Sequence, residues 1–350
     1  MRRLPARFLL SLTTTLALAA CGGGDPDAPE AADAPPPPGQ AAGLLQGLAQ
    51  QQAPSDTQRA AAATATARSS TNACAAIRPF YWEVGGRDSR LVSGSELAPG
   101  STTAYKPAFP MSIASASKWV YGSYVAQLRG GQLNDTDRRF LTLRAGYVSL
   151  RSCQPTQTVD SCLASDGNGT YTPEFDGRFL YDGGHMQAHA SLIGLGGKSN
   201  QTLATAIRAQ LGTDVALSFS QPQVAGGAIM SPDAYALLLR KMLKGQLHIA
   251  ALLGSGAVCT NAATCGLDQA VFAPLPATES WHYAAGHWVE DDPVTGDGAF
   301  SSPGAFGFYP WIDKSKTYYG VVARMAQNGA WPSVQCGRLI RKAWLSGAAQ

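Results

Sequence analysis

The chain has 350 residues, 45% hydrophobic and 15% charged, with 27 Lys and Arg against 24 Asp and Glu. Removing Arg2, Arg3 and Arg7 at its start leaves 24 basic residues, equal to the 24 acidic ones. That balance excludes an electrostatic case for nucleic acid as a partner, and it assigns the formal charge of +3 to the leader.

Phe8–Ala19 is apolar but shorter than the roughly 20 residues a membrane-spanning helix takes. Behind its arginines it has the form of a secretory signal covering residues 1–20. Leu16-Ala17-Leu18-Ala19-Ala20-Cys21 resembles a lipobox, in which small residues precede a Cys that is acylated and begins the mature protein. Lipid on Cys21 would hold an exported protein at a membrane, on the periplasmic side or at the cell surface, without a spanning helix. Gly22 stands where an Asp often signals inner-membrane retention, which points to the outer membrane. Residues 21–71 are rich in Ala, Pro and Gln and nearly free of aromatics. Such a composition cannot bury enough apolar surface to offset chain entropy, so a disordered tether is expected there. The globular part is then expected over residues 72–350, as one composite domain or two intimately packed ones.

Phe80-Tyr81-Trp82-Glu83-Val84 has strand character and ends at Gly85-Gly86. An apolar approach, Phe109 to Ala114, leads to Ser115; from Lys118 on, Val120, Tyr121, Tyr124, Val125 and Leu128 recur at helical spacing until Gly130-Gly131. Ser152 to Gly177 reads as a polar loop. A helix is expected after Gly183-Gly184-His185, another over Thr202–Leu211, and a third over Ser231–Leu243 with Ser231 as cap and Pro232 in the first position. The tail then changes period. Gly286–Glu290, Ala305–Asp313 and Thr317–Ala323 read as strands, followed by a helix over Val334–Leu345. Strand, helices, meander and helix together predict an α/β assembly: an antiparallel sheet flanked by helices, with a mostly helical subdomain.

Beyond Cys21 the cysteines are Cys74, Cys153, Cys162, Cys259, Cys265 and Cys336. An even set in an exported chain suggests disulfides. Short spacing favours Cys153–Cys162 and Cys259–Cys265, which leaves Cys74 for Cys336, although spacing does not prove connectivity. The C-x-x-C spacing is absent, so nothing in the cysteine pattern indicates zinc.

Ser115-Ala116-Ser117-Lys118 is an S-x-x-K tetrad. A serine hydroxyl becomes a nucleophile when a base takes its proton, and Ser and Lys three apart at a helix start share one face. The helix N-terminus adds N–H groups and positive potential for an oxyanion. In this the chain resembles the serine β-lactamase and penicillin-binding-protein superfamily, most closely its class C-like branch, which includes esterases and peptidases. Further blocks follow in that family's order: Leu141-Thr142-Leu143-Arg144, Gly177–Gly183, Gly196-Gly197-Lys198-Ser199, Leu211-Gly212 and Ala225–Asp233.

The resemblance implies a β-lactamase/transpeptidase-like fold and a serine hydrolase working through an acyl-enzyme. Ser115 would be the nucleophile, Lys118 its partner, and Tyr181 a second base or proton shuttle. It implies no metal or cofactor, and a small-molecule or peptide-like ester or amide as substrate. Two positions depart from the pattern. Gly183 stands where the second motif has Asn, with His185 or Gln187 as candidate replacements. In the third motif, Ser302-Pro303-Gly304, Ser302 stands where Lys or His binds a substrate carboxylate. The N–H of Ala305 would pair with that of Ser115 as oxyanion hole. The missing cation favours a neutral ester or amide over a β-lactam or a D-alanyl peptide. An acylatable sensor without turnover is the other reading.

Overall fold

The computed structural model describes residues 53–350. The expected signal peptide, Cys21 and the tether up to residue 52 lie outside the described residues.

The last part of the expected tether is a helix. Asp56–Arg68 (α1) starts at a capping box between Ser55 and Gln58, and buries Ala62, Ala63, Thr66 and Ala67. It lies on the C-terminal helix Ala330–Ser346, here α7 in chain order, whose end it caps. There Arg59 donates to the carbonyls of Trp344 and Leu345 at 2.8 and 2.9 Å. Composition misled because alanine reads as low hydrophobicity. Alanine is also the best helix former, and its small side chain lets two helices approach closely. The globular part therefore begins near Pro54, not at Asn72.

The core is an eight-stranded antiparallel sheet. In chain order its strands are Phe80–Gly85 (β1), Arg90–Glu96 (β2), Val258–Cys259 (β3), His282–Tyr283 (β4), Trp288–Glu290 (β5), Ala299–Ser301 (β6), Tyr309–Ile312 (β7) and Tyr319–Ala323 (β8). They are arranged β2-β1-β8-β7-β6-β5-β4-β3. The two ends of the chain thus meet at the β1–β8 pair, with Trp82 opposite Val322. The Cys74–Cys336 disulfide ties the same two ends together, and Cys153–Cys162 and Cys259–Cys265 are bonded as well. β1, β7 and β8 are buried throughout, and both α7 and the helix Pro232–Leu243 pack on β7 and β8.

Between β2 and β3 lies the mostly helical part. Its main helices are Ser117–Leu128 (α2), Asp135–Leu141 (α3), Gly184–Ala190 (α4), Asn200–Leu211 (α5) and Pro232–Leu243 (α6). Ser231 caps α6 by accepting from the N–H of Ala234, as its Ser-Pro start predicts. The polar stretch 152–177 carries a short helix, Val159–Leu163, and a strand, Tyr171–Asp176, where a loop was expected.

The expected strand Ala305–Asp313 starts only at Tyr309. Residues 304–307 form a tight turn, closed by the N–H of Gly307 on the carbonyl of Gly304 at 2.9 Å. The preceding strand, β6, falls in a stretch for which no element was expected. Its Ala299-Phe300-Ser301 is too short to show a period.

Candidate active site

Ser115 sits where an apolar approach becomes a helix. Met111–Ser112 pairs antiparallel with Ala228–Met230, and the N–H of Ile113 adds a bond to the Ala228 carbonyl at 3.1 Å. The chain then tightens into a single 3₁₀ turn, Ala114–Ala116, before α2. Ala114, directly before the serine, has φ +44°. That left-handed backbone costs on the order of 1–3 kcal/mol in a non-glycine residue and persists only when neighbours hold it. The neighbours are on hand. Ser117 Oγ donates to the Ala114 carbonyl at 2.6 Å and accepts from the N–H of Ala228 at 3.2 Å. Tyr235 Oη donates to the Ala116 carbonyl at 2.9 Å.

One turn beyond Ser115, Lys118 is 4% exposed. Its Nζ lies 3.1 Å from Ser115 Oγ and 3.0 Å from the carbonyl of Ala225. The sheet closes on this turn at Gly286. A Cβ there would lie 2.4 Å from the Lys118 carbonyl, and its φ of +80° suits glycine.

The third-motif segment passes on the other side. Gly304 has no room for a side chain, since a Cβ would lie 2.1 Å from the carbonyl of Ile113. This close approach brings Ala305 beside Ser115, and both border one cavity. Among the described residues, neither the N–H of Ser115 nor that of Ala305 has an intramolecular acceptor. Two free amide donors beside a nucleophile are the parts of an oxyanion hole. The cavity, of about 130 Å³, is walled by Tyr181, Pro274, Leu275, Trp288, Trp331 and Val334.

No protein-family model matches the sequence, and no curated protein matches it. Solved structures do. A penicillin-binding-protein homolog from Caulobacter crescentus superposes with a TM-score of 0.60 at 14% identity, over 82% of this chain and 98% of that one. A D-stereospecific amidohydrolase from Streptomyces sp. superposes with a TM-score of 0.56 at 12% identity, over 85% and 100%. EstCE1, a hydrolase with promiscuous acyltransferase activity, gives a TM-score of 0.55 at 14% identity, over 83% and 99%.

The chain has the β-lactamase and penicillin-binding-protein fold.

On this fold the second motif is rebuilt. Gly183 begins α4, and the place of its missing side chain is flanked by Leu150 and Ala225. The polar partner that an Asn would offer Lys118 is supplied by the Ala225 carbonyl. Gln187 holds that segment: its Nε2 donates to the Pro222 carbonyl at 2.7 Å and its Oε1 accepts from the N–H of Val224 at 3.1 Å. Gln187 thus ties down the backbone segment that carries the Ala225 carbonyl.

His185 is not a substrate contact. It is fully buried, its Nδ1 accepts from the N–H of Ala145, and its Nε2 meets the carbonyl of Leu180. Burial lowers its pKa to about 4, so it is a neutral fastener between two segments. Beside it, burial holds the Asp182 carboxyl above the usual range, although it accepts from the N–H groups of Gly184 and Leu150.

Tyr181 borders the cavity, but it offers Lys118 its ring face: Nζ stands 4.7 Å from the ring centroid. Its hydroxyl has no hydrogen bond among the described residues, so the direct hydroxyl link to Ser115 implied by the resemblance is missing. The ring is stacked on Trp288 at 5.3 Å.

Ser302 is 1% exposed and donates to the Ser115 carbonyl at 3.1 Å, so it clamps the Ser115 backbone and does not line the cavity. Trp288 walls the cavity, while Trp82, Tyr309 and Trp311 are core. Pro274, Leu275, Trp331 and Val334 carried no sequence signal, since each comes from a distant loop or helix face.

Proposed function

We propose that the protein is a serine hydrolase that cleaves an uncharged carboxylic ester or amide through an acyl-enzyme. The observation that carries this is the 3.1 Å contact between Lys118 Nζ and Ser115 Oγ at the edge of a cavity bordered by two free amide N–H groups. As Ser115 Oγ bonds to the carbonyl carbon, Lys118 takes its proton, and the N–H groups of Ser115 and Ala305 hold the oxyanion. The bond to the leaving group breaks, and the leaving alcohol or amine receives that proton. Water then adds to the acyl-serine, yielding the acid and restoring Ser115. No cationic side chain borders the cavity among the described residues, which favours a neutral substrate over the carboxylates of β-lactams and D-alanyl peptides.

A short-chain nitrophenyl ester and a chromogenic cephalosporin assayed side by side test this. Ester turnover is expected to exceed cephalosporin turnover. Ser115→Ala and Lys118→Met are each expected to lower ester kcat/KM by about 10³-fold or more. Full ester hydrolysis by Ser115→Ala would end the proposal. The unbonded Tyr181 hydroxyl supports a second reading, an acylatable sensor that cannot activate water. That reading expects a stoichiometric burst with no turnover after it.

A further inference from the structure

We infer that the cavity beside Ser115 receives the acyl part of the substrate, and that Trp331 limits it to a short, uncharged aliphatic group. The inference rests on the serine-hydrolase reading.

Direction comes first. A carbonyl bonded to Ser115, with its oxygen between the N–H groups of Ser115 and Ala305, has two substituents left to place. The leaving group has to collect the proton that Lys118 holds. Among the described residues, Lys118 does not border the cavity, and the hydroxyl-bearing side chains that do are Ser115 and Tyr181. The leaving group therefore departs on the Lys118 side, and the acyl group takes the apolar cavity.

Size follows from the walls. A cavity of about 130 Å³ is close to the ~150 Å³ that holds one benzene in an apolar protein interior. Trp331 and Val334, at the start of α7, form part of its wall. Trp331 is held from behind. The Arg338 guanidinium lies 5.6 Å from the Trp331 ring centroid and 4.8 Å from that of Trp281. Arg338 is itself fixed by two bonds to Glu279, at 3.0 and 3.1 Å, and one to Glu290 at 2.9 Å. Trp281 in turn contacts Trp288, the wall on which Tyr181 stacks. A wall braced by paired charges and stacked rings cannot swing aside for a longer chain.

The test uses the full chain, alkyl fluorophosphonates from ethyl to dodecyl, and mass-spectrometric readout of labelling at Ser115. Nitrophenyl esters of rising acyl length and acetates of rising alcohol length are assayed in parallel. Wild-type protein is expected to lose labelling and turnover sharply as the acyl chain lengthens, and little as the alcohol lengthens. Trp331→Ala is expected to raise the long-to-short acyl ratio by about tenfold or more, and Val334→Ala to raise it by less. Val334→Ala, a smaller change, also reads the wall if Trp331→Ala fails to fold. An unchanged ratio in the folded variants, or a cut-off along the alcohol series, would overturn the inference and leave the serine hydrolase standing. Absence of Ser115 labelling by every probe would instead overturn the hydrolase reading, and the inference with it.

Discussion

Two polar constellations lie within the helical half of this protein, and only one is placed to do chemistry. In the first, Tyr121 Oη meets His189 Nδ1 at 2.8 Å, and His189 Nε2 meets Asp137 at 3.0 Å. Asp137 also accepts from Arg129 and from the N–H of Asn134, which hold its carboxyl below the usual range against the opposing effect of burial. On paper, a hydroxyl, an imidazole and a carboxylate in line resemble a catalytic triad. Yet all three side chains are fully buried, and Phe140 stacks on the imidazole at 5.2 Å. In the second, Ser115 and Lys118 have fewer partners, and two N–H groups beside them have none among the described residues. Complete satisfaction marks the structural network. Donors left unpaired beside a cavity mark the site.

The comparison breaks most sharply at Asp137. Asp137→Ala strips a buried imidazole and Arg129 of their partner and is expected to cost about 3–5 kcal/mol of stability. At a temperature where the variant is folded, ester kcat/KM is expected to stay near wild type. A large loss of kcat in folded protein would show that the sealed network takes part in catalysis.

Ala305→Pro probes the other side. Ala305 is the second residue of the 304–307 turn, a position that suits proline, so the change removes one N–H and spares the turn. It is expected to lower kcat about 10²–10³-fold with little change in melting temperature. Wild-type kcat in this variant would remove Ala305 from the oxyanion hole.

A pH series separates the two kinds of site further. Burial lowers the pKa of both His185 and His287 to about 4, below the unfolded value of about 6.5. Between those values the unfolded chain binds more protons, so stability falls as pH drops from about 6.5 toward 4. Each histidine contributes on the order of 3 kcal/mol that is fully present above that window. Urea midpoints at pH 7, 5.5 and 4.5 should decline steadily, and a flat series would place these imidazoles in water.

Much of this was legible in the sequence. The tetrad, its helix, the Ser231-Pro232 cap and the two short disulfide pairings follow from local spacing, Cys74–Cys336 was the pair that remained, and the structure has all of them. The misreadings have one source. Ala-rich Asp56–Arg68 was read as tether because its partner, α7, lies at the far end of the chain. His185 was read toward substrate because its number places it beside the second motif, while the fold turns both ring nitrogens to backbone groups.

By itself, then, the sequence determined the pairing of Ser115 with Lys118 and the class of fold, since spacing of three along a helix and alternation along a strand are local geometry. The tertiary structure alone decided what surrounds them. It gave Lys118 the Ala225 carbonyl where an Asn was missing, turned Ser302 into a backbone clamp, and walled the cavity with Trp288 and Trp331. These residues come from segments far apart in the chain, so only the closing of the sheet over α2 brings them together.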